Sequence, residues 1–251
     1  MKLFDNLPPS GGFDSPLEIA SSRRSFLHWS SAAIVGALAV GASIPGLTID
    51  NAFAERAANN VGRAVDLGSG DIGVLNYAYA LEQLEAAFYT QVLSTPYANM
   101  SSAEKSVLND IRSHEIAHRE LFKAALKGKA IPALEADFTK VDFNDRMSVL
   151  KTAQTFEDLG VSAYNGAGRL LKNGDYLLLA GKIVSVEARH AAAIRILLNP
   201  KSAAFAGDDI VDDQGLDKAA MPGEVLAAAG PFIKTRISAD NLVSMKHAER
   251  N

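Results

Sequence analysis

Four long segments between residues 71 and 200 place apolar side chains at i, i+3, i+4 and i+7, the period of a helix that buries one face. The first runs from about Asp71 to Leu93, with Leu75, Tyr79, Glu82, Ala86 and Tyr89 on one stripe. The second runs from Ser102 to Leu126, opened by a capping box at Ser101-Ser102-Ala103-Glu104 and followed by Gly128; its stripe is Val107, Ile111, Glu115, His118, Phe122 and Ala125. The third spans about Asn144 to Lys172, with Leu150, Ala153, Glu157, Val161 (or Gly160) and Tyr164 in line. The fourth begins after a candidate cap at Asp175 and stops at Asn199-Pro200, with Ala180, Val184, Glu187, His190, Ile194 and Leu197 on one face. Short loops join helices one to two and three to four, whereas the middle connection, roughly Lys127 to Phe143, is longer and contains Pro132. The pattern predicts an all-α bundle of two helical hairpins joined by a long crossover. Residues 201–251 show only one short helical stretch, at Pro222-Gly223-Glu224-Val225-Leu226, and read as an irregular extension packed loosely on the bundle.

Polar residues on the apolar stripes change this picture. Glu82, Glu115, Glu157 and Glu187, one per helix, fall where the core should be. A buried carboxylate needs a partner, a metal or a proton, and four at similar depth repel one another unless positive charge lies between them. Two of them begin a Glu-x-x-His pair, Glu115/His118 and Glu187/His190, and on a helix positions i and i+3 share a face, so both side chains can meet one cation. Composition alone supplies about 0.2 such pairs in residues 55–251, so two, each in the second helix of a hairpin, are informative. Four carboxylates and two imidazoles, with no sulfur, suit two divalent ions, iron or manganese, with zinc also compatible. The hairpins repeat weakly: Glu82 and Tyr89 are followed 75 positions later by Glu157 and Tyr164, and Glu115 and His118 recur 72 positions later as Glu187 and His190. Tyr89 and Tyr164 read either as hydrogen-bond or electron-transfer partners of the glutamates or as core tyrosines. Glu82 fits the inward stripe better than its neighbour Glu85. His114 reads as a surface residue or one that supports the site from outside it, and Arg119 and Arg189 as outward-pointing.

Composition narrows the classes. At 48% hydrophobic and 22% charged the chain is an ordinary globular protein, and its net charge of −4 lacks the basic excess of a nucleic-acid binder. Apolar content rich in Ala and Leu favours helices. With no cysteine, disulfides, thiolate metal sites, iron–sulfur clusters and cysteine nucleophiles are excluded from this chain. Residues 1–54 form a separate region: Ser22-Arg23-Arg24-Ser25-Phe26-Leu27, an apolar run from Trp29 to Leu47, and the small residues of Ala52-Phe53-Ala54 before Glu55 describe a twin-arginine signal peptide. Gly36, Gly41, Ser43 and Pro45 interrupt the run and disfavour a membrane-spanning helix. The expected organisation is thus a signal at 1–54, a linker at 55–70, the bundle at 71–200 and the extension at 201–251. The expected location is the bacterial periplasm, or a membrane anchor if the signal stays uncleaved.

The stretch Leu75-Asn76-Tyr77-Ala78-Tyr79-Ala80-Leu81-Glu82-Gln83-Leu84-Glu85-Ala86-Ala87-Phe88-Tyr89, with His114-Glu115-Ile116-Ala117-His118 and Glu187-Ala188-Arg189-His190, resembles the ferritin-like superfamily and its exported, desiccation-related branch. The likeness covers about residues 70–200 and the Pro222-to-Phe232 stretch. It implies a ferritin-like four-helix bundle in which Glu82 and Glu157 are terminal ligands, Glu115 and Glu187 bridge two ions, and His118 and His190 complete the shell. It also implies one of two functions: an oxidoreductase acting on peroxide, dioxygen or ferrous iron (peroxidase, catalase or ferroxidase type), or a non-catalytic stress protein whose metal is structural, sequestered or absent. No individual catalytic residue is assigned. Expected partners are metal ions, small oxidants, the twin-arginine export machinery and further copies of the chain, with no nucleic acid. The rubredoxin-type domain and the fifth helix of cage-forming relatives are not evident.

Overall fold

The computed structural model of the chain describes residues 64–243. The proposed twin-arginine signal at 1–54 and most of the linker lie outside the described residues. In chain order the elements are β1 (Val65–Asp66), α1 (Gly70–Ser94), α2 (Ser102–Leu126), α3 (Arg146–Gly168), α4 (Gly174–Leu198), α5 (Pro222–Ala229), β2 (Ile237–Ser238) and α6 (Asp240–Val243). Helices α1 and α2 pack as one hairpin and α3 and α4 as the other, with the longer connection between them: an all-α bundle. None of the described helices is long and apolar enough to cross a membrane.

Helix ends follow local chemistry. Ser101 accepts from the amide of Glu104, and the Glu104 carboxylate accepts the Ser101 amide in return, closing the capping box of α2. Helix α3 is shorter than its sequence pattern, because Asp145 rather than Asn144 caps it through the amides of Met147 and Ser148, and the chain turns after Gly168. Helix α4 starts before the expected Asp175 cap: Asn173 accepts from the amides of Asp175 and Tyr176, which frees Asp175 for the first turn. Past α2, Lys127 rather than Gly128 takes the positive φ, of 53°.

Helix α1 departs most from a one-faced helix. Nearly every residue from Gly73 to Phe88 is buried, including Asn76, Glu82 and Glu85. The reason is the crossover, which its polar side chains hold over its outer face. Asn76 donates to the carbonyls of Leu67 (3.1 Å) and Lys129 (3.0 Å) and accepts from the Ile131 amide (2.9 Å), while Gln83 accepts from Leu134 (2.9 Å).

The extension does not pack loosely over its described residues, 201–243, contrary to its sequence pattern. Val225 and Ala229 of α5 are fully buried, and β2 pairs in parallel with β1, Val65 opposite Ile237. The segment reaches α3 so closely that a Cβ at Gly166 would sit 1.9 Å from the carbonyl oxygen of Ala220, and only glycine fits there. Arg195 of α4, 3% exposed, forks onto Asp158 of α3 (2.8 and 2.7 Å) and Asp209 of the extension (3.0 and 2.7 Å), tying three segments together. The sparse periodicity of residues 201–251 concealed this because most of these contacts are backbone or single-residue contacts.

Candidate metal centre

Glu82, Glu115, Glu157 and Glu187 converge midway along the bundle, each at most 1% exposed, with His190 buried and His118 12% exposed. Their arrangement has two halves. Nδ1 of His118 lies 3.4 Å from Oε2 of Glu82, 3.6 Å from Oε2 of Glu115 and 3.0 Å from Oε1 of Glu187. Nδ1 of His190 lies 2.8 Å from Oε1 of Glu115, 3.4 Å from Oε2 of Glu157 and 3.8 Å from Oε2 of Glu187. Glu115 and Glu187 therefore offer one oxygen to each half, whereas Glu82 and Glu157 each serve a single half.

The outer oxygens of those two are held by tyrosines from the opposite hairpin. Tyr164 on α3 donates to Oε1 of Glu82 on α1 (2.5 Å), and Tyr89 on α1 donates to Oε1 of Glu157 on α3. The two tyrosines thus act on glutamates across the bundle rather than on those two turns away in their own helices. Each bond fixes one carboxylate oxygen and leaves the other turned toward the centre.

Eight donor atoms then remain buried without an aligned hydrogen bond: Oε2 of Glu82 and Glu157, both oxygens of Glu115 and Glu187, and Nδ1 of His118 and His190. Buried polar atoms without partners are rare in folded proteins and call for an explanation such as an ion. In each of two sets, Glu82–Glu115–His118–Glu187 and Glu115–Glu157–Glu187–His190, one donor atom per residue lies within 4.8 Å of the others. Ligands bound at about 2.1 Å stand up to about 4.2 Å apart across an ion, so each set needs only slight contraction to hold one.

Electrostatics describe the same strain. Burial raises the Glu82 carboxyl well above its ordinary range, and nearby Glu187 and Glu115 add to this. Burial also pushes Glu157 up to about 8. For Glu115 burial acts upward too, but contact with His118 and His190 overrides it and brings the group down to about 2. Burial opposes charge on the two histidines, yet the surrounding glutamates push both up to about 12. Without metal, protons on the imidazoles are the positive charge this acidic pocket recruits.

Two neighbours extend the cluster beyond the residues first singled out. Glu85, set against Glu82 as the less inward of the two, is in fact buried as well, 4% exposed, because α1 is covered all round. Its spacing of i+3 from Glu82 is the signal that would have placed it on the same face. His114 is exposed at the surface yet its Nδ1 lies 2.9 Å from Nε2 of His190, the rings stacked 5.1 Å apart, so it orients that imidazole from outside. Arg119 pairs with Glu120, and Arg189 bonds Ser185 on its own helix.

An all-α bundle of two hairpins around a buried carboxylate–histidine cluster is the architecture of the ferritin-like proteins. Residues 70–200 match the family described as the ferritin-like domain, just over half of the chain, and the protein belongs to that family. No curated protein matches the sequence.

Proposed function

We propose that the protein is a di-metal carboxylate protein that holds two divalent ions, iron or manganese, one in each half of the cluster. Glu115 and Glu187 would bridge them, Glu82 with His118 and Glu157 with His190 would complete each side, and the eight converging donor atoms without an aligned hydrogen bond are the observation that carries this reading. The donors are oxygen and imidazole nitrogen without sulfur, as such ions prefer. When bound, the pair would supply redox chemistry toward peroxide, dioxygen or ferrous iron. The chain's own part is positioning: Tyr89 and Tyr164 hold the terminal glutamates, His114 fixes the orientation of His190, and the apolar stripes of the four helices keep water away. The segment Ser22–Leu27 with Ala52–Ala54 supports export by the twin-arginine route, and with it a protective role in the periplasm under oxidative or desiccation stress.

The test is elemental analysis of the full chain joined to assays of peroxide consumption and ferrous oxidation. The expected result is two ions per chain with turnover that follows metal loading; protein that takes up no ion overturns the proposal. A second reading, in which the ions serve stability alone, draws on the absence of cysteine, which denies this chain a built-in iron–sulfur electron supply. Two bound ions that raise the melting temperature without any turnover would favour it.

A further inference from the structure

The repeat that relates the two hairpins fails at Glu85. An advance of 75 positions takes Glu82 to Glu157 and Tyr89 to Tyr164, but it takes Glu85 to Gly160. Glu85 lies nearly one turn beyond Glu82 on α1 and is 4% exposed. Its counterpart faces it directly. A Cβ built on Gly160 would stand 3.2 Å from Oε1 of Glu85 and 3.6 Å from Oε2 of Glu187. The missing side chain at 160 is therefore the space that a fifth carboxylate uses.

That space belongs to one half. Glu187 turns Oε1 to His118 and Oε2 to His190, and Oε2 is the oxygen that shares the gap with Glu85. Four carboxylates already match the charge of two divalent ions, so a fifth makes the pocket more acidic on the side where it enters.

The geometry points to Glu85, which stands outside both four-residue sets, as a fifth carboxylate that borders Glu187 across the gap at Gly160 and makes the two ion positions unequal, with the tighter position on the His190 side. This rests on the two-ion reading above, and the experiment separates the two claims. Full-length protein, stripped with chelator, is titrated with Co(II), whose visible absorption reports its ligands, alongside Glu85→Gln and Gly160→Ala. Wild type should fill in two resolved steps. Glu85→Gln should still take two ions, with the tighter step weakened about tenfold or more and the spectrum of the first ion altered. Gly160→Ala keeps the carboxylate but crowds it, and should weaken the same step; it carries the test alone if Glu85→Gln does not fold. Two ions bound with unchanged steps and spectra in these variants overturn the role of Glu85 and leave the two-ion centre standing. No Co(II) uptake by wild type overturns both.

Discussion

The two halves of the cluster carry matching groups and are backed by different surroundings. Behind Tyr89 stands an aromatic block. Phe88 meets Tyr89 and Phe156 edge to face at 5.1 Å and lies 5.8 Å from Phe138 and 6.0 Å from Phe143, and Phe156 meets Phe232 at 4.8 Å. These rings come from α1, the crossover, α3 and the extension. Behind Tyr164 lie Phe122, its ring 6.4 Å away, and a small apolar pocket lined by Tyr77, Leu81, Ala163 and Ala180 among others. The histidines differ too: His190 is braced by His114, while 72 positions on from His114 the chain has Val186. The proposed ions constrain only the groups that face them. One layer out, each side is shaped by what packs on it, and the crossover and the segment after α5 both bring their rings to the Tyr89 side.

Breaking the aromatic block should have the largest effect on stability. Phe88→Ala should cost about 3–5 kcal/mol by denaturant unfolding, since a fully buried ring is lost from a packed wall. A matching truncation of Leu81 beside the pocket on the other side should fall toward about 2 kcal/mol, near the bottom of the usual range for a leucine. Equal losses would show that the two walls are packed alike.

Next come the glutamates. Glu115→Ala should remove ions from both halves, because its two oxygens face one half each, whereas Glu157→Ala should leave one ion bound. Elemental analysis distinguishes these outcomes, and one retained ion in Glu115→Ala would contradict the shared position. Tyr164→Phe and Tyr89→Phe should each weaken binding about 10- to 100-fold by releasing a terminal carboxylate, each in its own half. Calorimetric titration would report it.

A subtler difference appears in pH dependence. With Glu157 held up to about 8, the folded metal-free chain keeps a proton that the unfolded chain releases near its ordinary value of 4.5. Stability from this group is therefore greatest at low pH and is lost as pH rises through that window. The two histidines act in the same direction: raised from 6.5 to about 12, they contribute fully below 6.5 and lose that contribution as pH rises toward 12. The melting temperature of chelator-treated protein should thus fall between pH 5 and pH 8, and Co(II) should reverse the trend because ions bind the deprotonated carboxylates. A metal-free protein that grows more stable over this range would refute the assignment. The smallest effect expected is from His114→Ala, which should weaken the His190 half about tenfold at most and leave the His118 half unchanged.

By itself the sequence determined the helices, their pairing and the depth of four glutamates, because helical period and the cost of burying charge are local rules that act on neighbours in the chain. It marked Glu115/His118 and Glu187/His190 as single-face pairs for the same reason. Tertiary structure alone decided that Tyr89 and Tyr164 cross to the opposite hairpin, that Glu85 is buried along with Glu82, and that the extension grips the bundle through Arg195 and Ala220. These depend on which surfaces meet across the fold. A turn of helix shows which residues share a face but not what lies opposite, and the empty space at Gly160 has meaning only once a carboxylate from another helix is seen to fill it.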